Sequence, residues 1–131
     1  MPDYLLDSCV LIRHLRRHRP TTDLVATLAL EGRVGIATIS RTEVVEGMRD
    51  HERPGTLRFL DALDCYPLDA AIAGLAGELI RRFCAQGITL DKPNAIIGAT
   101  AMAHGLVLVT YNAKHFPMPE LRLYEEMPRA V

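Results

Sequence analysis

Six polar residues in this chain stand, at four places, where apolar runs stop or start. Asp7 lies between "YLL" and "CVLI", and Glu43 closes "SRTE" after "RVGIATI". Asp91 and Asn94 open the stretch "TLDKPNAIIGATAMAHG" (residues 89–105), and Thr110 and Asn112 follow "LVLV" directly. A carboxylate pressed against apolar neighbours on both sides is desolvated unless it is paired, caps a helix or binds a cation. Two such carboxylates, with no serine or cysteine nucleophile motif beside them, suit a hard divalent cation. Mg²⁺ takes oxygen ligands and keeps several waters, so one or two direct carboxylates suffice for it. Each position also has a purely local reading. Asp7 can cap a helix beginning near Ser8, for which Ser8 is also a cap candidate. Ser40-Arg-Thr-Glu43 spells a capping box, with the glutamate reaching back to the Ser40 amide. Asn94 is among the best residue types for a helix N-cap.

Other chemistries are poorly served. His14 and His18 have i,i+4 spacing but stand among arginines, which repel a cation. There is no glycine-rich phosphate loop, and Gly74 and Gly77 fall inside a helical pattern, where they permit close helix packing. "RHLRRHR" (residues 13–19) gathers four arginines and two histidines, either as a solvated face or as a patch facing phosphates.

Positioning these groups is the work of an α/β pattern. "YLLD", "RVGIATIS", "DCYPL", "LVLVT" and "LRLYE" read as strands. Between them run helical patterns after Ser8, from Thr22 to a stop at Gly32, after Ser40, over "TLRFLDAL", over "DAAIAGLAGELIRRFCAQG", and from Pro93 to His104 before Gly105. Pro20 to Thr22 and His51 to Gly55 read as breaks. Helices alternating with short apolar strands imply a mainly parallel central sheet. Such sheets hold their ligands beyond the carboxyl ends of the strands, the edge where Asp7, Glu43 and Thr110 fall.

The 131 residues suit one domain, residues 1–131, with 49% hydrophobic and 24% charged residues and a net charge of −1. No segment approaches the apolar length of a membrane span, and the N-terminal apolar run is too short for a signal peptide. The protein is therefore expected in the cytoplasm. Cys9, Cys65 and Cys84 lack metal-type spacing and read as reduced, mostly buried thiols.

"YLLDSCVLI", "ISRTEVVEGM" and "AIIGATAMAHGLVLVTYNAKHF", in this order and spacing, resemble a PIN-domain ribonuclease, and more narrowly the VapC-type toxins of type II toxin–antitoxin pairs. The resemblance covers nearly the whole chain. It implies a three-layer α/β/α fold and an endoribonuclease that uses Mg²⁺ or Mn²⁺, with acidic residues gathered at one end of the sheet. By motif the first acid is Asp7 and the second Glu43. The third place holds Asn94 and the fourth, variable one Asn112, while Thr110 matches a family hydroxyl that positions ligand or water. In-line hydrolysis is then expected to leave a 5′-phosphate and a 3′-hydroxyl. Arg13 and Arg16 are first candidates for holding RNA, with Arg41, Lys92 and Lys114 secondary. The target class is a loop of tRNA or ribosomal RNA. A homodimer is implied, as is a cognate antitoxin whose tail crosses an apolar groove formed by the helices after Ser8 and Ser40.

Asn94 departs from the family pattern, since an amide offers a carbonyl oxygen but no charge. Three explanations compete: Asp91 substitutes for the missing acid, the enzyme is naturally weakened, or an original aspartate has been replaced. The last two are favoured over the first. The alternative function is a catalytically inactive PIN-like module that binds RNA or protein.

Overall fold

The computed structural model describes residues 2–129. Its strands are β1 (Tyr4–Leu6), β2 (Val34–Ala37), β3 (Asp64–Tyr66), β4 (Val107–Val109) and β5 (Arg122–Leu123). Its helices are α1 (Ser8–Leu15), α2 (Arg19–Glu31), α3 (Thr38–Gly47), α4 (Arg53–Asp61), α5 (Ala70–Cys84) and α6 (Lys92–His104). Short 3-10 turns lie at Asp50–Glu52 and Ala113–His115.

Strand alternation sorts the apolar side chains into two cores. Leu5 and Leu108 point into one cluster with Ile72, Leu79 and Phe83 of α5 and Ile97 of α6. Tyr4, Leu6, Val107 and Val109 point into the other, with Val10 and Leu11 of α1, Leu24 and Leu28 of α2 and Leu60 of α4. A strand whose successive residues feed opposite cores is apolar throughout, which is why "YLL" and "LVLV" read as continuous runs. The result is the three-layer α/β/α arrangement anticipated from sequence.

All strand pairs are parallel, in the order β3-β2-β1-β4-β5. The chain moves outward from β1 to β2 and β3, then returns to place β4 and β5 on the other side of β1. The β1–β4 boundary is therefore the topological switch point, where such sheets open a crevice at their carboxyl ends. Pairing of Leu6 with Val109 brings Asp7 and Thr110 to that boundary side by side. The Asp7 N–H extends the ladder by donating to the Val109 carbonyl at 3.0 Å.

Several helix starts differ from the sequence reading. Asp7, not Ser8, caps α1. Pro20 lies in the first turn of α2 rather than in a break, and Pro54 likewise lies in the first turn of α4 within the expected loop. Both fit there because the first-turn N–H groups have no partner inside the helix. Helix α3 starts at Thr38, directly after β2, so Ser40 is a fully buried interior residue and the capping box does not form. Asp91 caps α6 and Asn94 follows inside the first turn. Gly74 and Gly77 lie on the exposed face of α5, where a Cβ would meet nothing. The close approach is at Gly98 of α6, where a Cβ would collide with the Met118 methyl group.

Helix α1 ends in a Schellman turn. Arg17 N–H donates to the His14 carbonyl and His18 N–H to the Arg13 carbonyl, both at 3.0 Å. The turn requires a left-handed residue, and Arg17 takes φ 61°, where a side chain is strained. Arg17→Gly is expected to stabilise the fold by about 0.5–1 kcal/mol, since glycine removes that strain at some cost in unfolded-state entropy. Urea unfolding checks this, and an unchanged midpoint would show that the turn holds arginine without strain.

Candidate metal centre

Asp7 is the most enclosed acid of the site, with 5% of its surface exposed. Its Oδ1 accepts from the Ser8 backbone N–H at 2.8 Å. Its Oδ2 accepts from the Thr110 hydroxyl at 2.7 Å and from the Cys9 thiol at 3.3 Å. The Thr110 oxygen in turn accepts from the Asn112 N–H at 3.0 Å. Burial, and then the neighbouring Asp7 charge, push the Cys9 thiol up to about 11, so it is a proton donor at neutral pH and not a thiolate.

Glu43 reaches this cluster from α3. Its Oε1 accepts from the Ser8 hydroxyl at 2.6 Å, which replaces the capping-box bond to the Ser40 amide. One residue therefore joins the two acids, Ser8 donating its N–H to Asp7 and its O–H to Glu43. The sequence reading treated Ser8 only as a cap and missed this bridge. Its one signal was a hydroxyl directly beside Asp7.

At the start of α6, Asp91 spends both carboxylate oxygens on Asn94. Oδ1 accepts the Asn94 N–H at 2.9 Å and Oδ2 accepts from the Asn94 side-chain amide nitrogen at 3.2 Å. Asp91 acts as a helix cap, and the Asn94 carbonyl oxygen is the atom left to face a ligand. Among the described residues, no group of three or more His, Cys, Asp or Glu side chains is arranged to hold a metal ion. Asp7 and Glu43 offer carboxylate oxygens and Asn94, at the start of α6, an amide carbonyl; each is a hard donor of the type that fits Mg²⁺ or Mn²⁺.

The basic stretch diverges. Arg13 lies over the Tyr111 ring at 4.4 Å, Arg16 lines a groove between α1 and α3, and Arg19 pairs with Asp23 at 3.1 Å. Arg41 pairs with Asp61 at 2.9 Å, while Lys92 and Lys114 are exposed. His14 stacks on Phe59 at 4.4 Å, and His18 Nδ1 lies 2.7 Å from the Thr21 hydroxyl. Of the thiols, only Cys9 is sheltered. Cys65, on the edge strand β3, and Cys84, at the end of α5, are exposed, contrary to the expectation of buried thiols.

The sequence matches the family described as PIN domain over residues 4–119. This chain belongs to the PIN-domain family. A PIN-domain relative, Ribonuclease VapC10 of Mycobacterium tuberculosis, is 35% identical over 116 residues, spanning 88% of this chain and 87% of the relative. A toxin–antitoxin complex from Klebsiella pneumoniae superposes with TM-score 0.74 at 29% identity, covering 93% of this chain and 98% of that one. DNA-bound VapBC from Salmonella typhimurium superposes with TM-score 0.82 at 20% identity, covering 95% and 98%, and attests the fold alone.

Two outcomes follow for this PIN-domain site. Thr110→Val is expected to cost about 1.5–3 kcal/mol in urea unfolding, because it takes a donor from a buried carboxylate. In an Asp7→Ala background the cost should shrink by at least about 1 kcal/mol, and equal costs in both would mean that Thr110 acts through packing alone. Alkylation at pH 8 followed by peptide mass spectrometry should label Cys65 and Cys84 well before Cys9. Comparable labelling of Cys9 would contradict its sheltered, protonated state.

Proposed function

We propose that this PIN domain is the toxin of a type II toxin–antitoxin pair, an endoribonuclease that hydrolyses RNA phosphodiester bonds with Mg²⁺ or Mn²⁺. The observation that carries this reading is the Asp7–Glu43 pair, joined through Ser8 at the switch point of the sheet. The 35% identical VapC10, a ribonuclease by name, supports the activity. Asp7, Glu43 and the Asn94 carbonyl oxygen would hold the cation, which would supply charge to acidify a water and offset that of the phosphoryl group. The chain's own residues prepare that place. Ser8 sets the spacing of the two acids, Thr110 fixes Asp7 Oδ2, and Cys9 stays protonated. Arg13 and Lys114 supply positive charge for the RNA backbone.

The substrate is a loop of tRNA or ribosomal RNA in the cytoplasm, where bases are splayed and accessible. The toxin works as a homodimer and is silenced by its antitoxin. A groove of about 280 Å³, walled by Ile12, Leu15 and Arg16 at α1, by Val44 and Met48 at α3, and by Arg49, Glu52 and Thr56, offers an antitoxin tail both apolar and charged contacts on that face.

Asn94 favours a second reading, a PIN domain that binds RNA or protein without cutting, because the site lacks a third acid. Cleavage of a mixed tRNA and ribosomal RNA pool with Mg²⁺ or Mn²⁺ decides between them. Asn94→Asp is expected to cut at least about tenfold faster than the parent chain. Chelation should abolish the cutting in both. Two inert proteins would sink the nuclease reading and leave the binding module.

A further inference from the structure

A second cleft opens beside the acids. It is open to solvent, has a volume of about 470 Å³, and runs past the carboxyl ends of β4 and β5. Thr110, Tyr111, Tyr124, Glu125 and Met127 are among its walls. Its size falls within the range of about 300–1,000 Å³ typical of small-ligand sites. Thr110 is common to both places, since the hydroxyl that donates to Asp7 belongs to a residue of the cleft wall. Thr110 is thus the link between the cleft and the acid cluster.

Both aromatic walls are held in place by the protein itself. The Tyr111 ring sits under the Arg13 guanidinium, and its phenol shares a hydrogen bond with the Thr21 hydroxyl. Tyr124 stands edge-on to Tyr4, with ring centroids 6.1 Å apart and planes at 85°. Rings fixed in this way lose little freedom when a flat ligand stacks on them. Charge narrows the ligand further. The lining carries one carboxylate, Glu125, and no cationic side chain, so a phosphate is disfavoured inside it. Arg13, over Tyr111, adds positive charge beside the cleft, which favours an RNA backbone over a basic peptide.

A neutral, flat group with N–H donors fits these walls, and the four RNA bases differ in that respect. Guanine presents N1–H and N2–H₂ side by side, a match for both oxygens of one carboxylate. Adenine and cytosine offer a single amino group there, and uracil offers one N–H between two carbonyls. We propose that this cleft is a nucleobase subsite selecting guanine beside the scissile phosphate, with Tyr111 and Tyr124 as stacking walls and Glu125 reading the base edge. The proposal rests on the nuclease reading for its position relative to the cut, and on the cleft alone for its preference among bases.

Two measurements separate these dependences. In EDTA, fluorescence anisotropy compares labelled tetranucleotides that differ only in carrying guanine or uracil at one position. The parent chain is expected to bind the guanine form about tenfold tighter. Glu125→Gln should erase that difference, and Tyr124→Ala should weaken both forms. Equal binding of the two by the parent, or a guanine preference unchanged in Glu125→Gln, overturns the subsite and gives the cleft to another occupant such as a protein partner. End mapping of a randomised RNA cut by Asn94→Asp should then show guanine at one fixed position from the cut. Random identity at every position would also overturn it. If no RNA is cut but the guanine preference and its loss in Glu125→Gln are both seen, the subsite stands and the nuclease reading fails.

Discussion

The structure of this site depends on one constraint, the burial of the Asp7 carboxyl group at the junction of β1 and β4. An acid enclosed to this degree costs several kcal/mol unless its oxygens are satisfied. Three donors meet that demand, and each comes from a different structural commitment. Ser8 N–H is available because a helix begins there, Thr110 O–H because β4 runs parallel and in register with β1, and the Cys9 S–H because Cys9 lies in the first turn of the helix that Asp7 caps. A slip of one residue in the β1–β4 register would take Thr110 away from Asp7 and turn the shifted strand's apolar side chains toward the wrong cores. The placement of the acid and the packing of the sheet are therefore one requirement.

Glu43 extends the same logic across the fold. It approaches from α3, and the Ser8 hydroxyl links it to the strand end. Since Ser8 is also the first residue of α1, the spacing between the acids is set by where that helix starts. A donor between two acids tolerates their proximity without a cation, and it leaves lone pairs for one.

What could be read in advance follows from this division between local and long-range causes. "YLL" and "LVLV" were legible as strands because burial on both faces makes every residue apolar. Asp7 was legible because an acid between apolar runs needs a reason. The role of Glu43 was harder, since Ser40-Arg-Thr-Glu43 satisfies the local capping pattern. That pattern lost because the chain enters α3 straight from β2, leaving Ser40 inside the helix. Asp91 and Asn94 are both good capping residues, and composition alone does not say which one caps. The exposure of Cys65 and Cys84 was hidden for a different reason: it depends on β3 being an edge strand and on which face of α5 is outward. The Ser8 bridge joins residues 35 positions apart, so no local pattern reports it.

The same geometry sharpens the meaning of Asn94. With both oxygens engaged by the α6 N-terminus, Asp91 is an acid already committed to the helix start, and moving it toward a cation would uncap α6. The cap also orients the Asn94 amide, because its nitrogen is held by Asp91 and its carbonyl oxygen is the free end. An aspartate at this position would keep the backbone bond to Asp91 but set two carboxylates against each other across one helical turn. Such repulsion is relieved by a cation on the far side, so an acid here ties helix order to metal binding, whereas the amide separates the two. Asn94 thus gives α6 a first turn that is capped without two carboxylates facing each other.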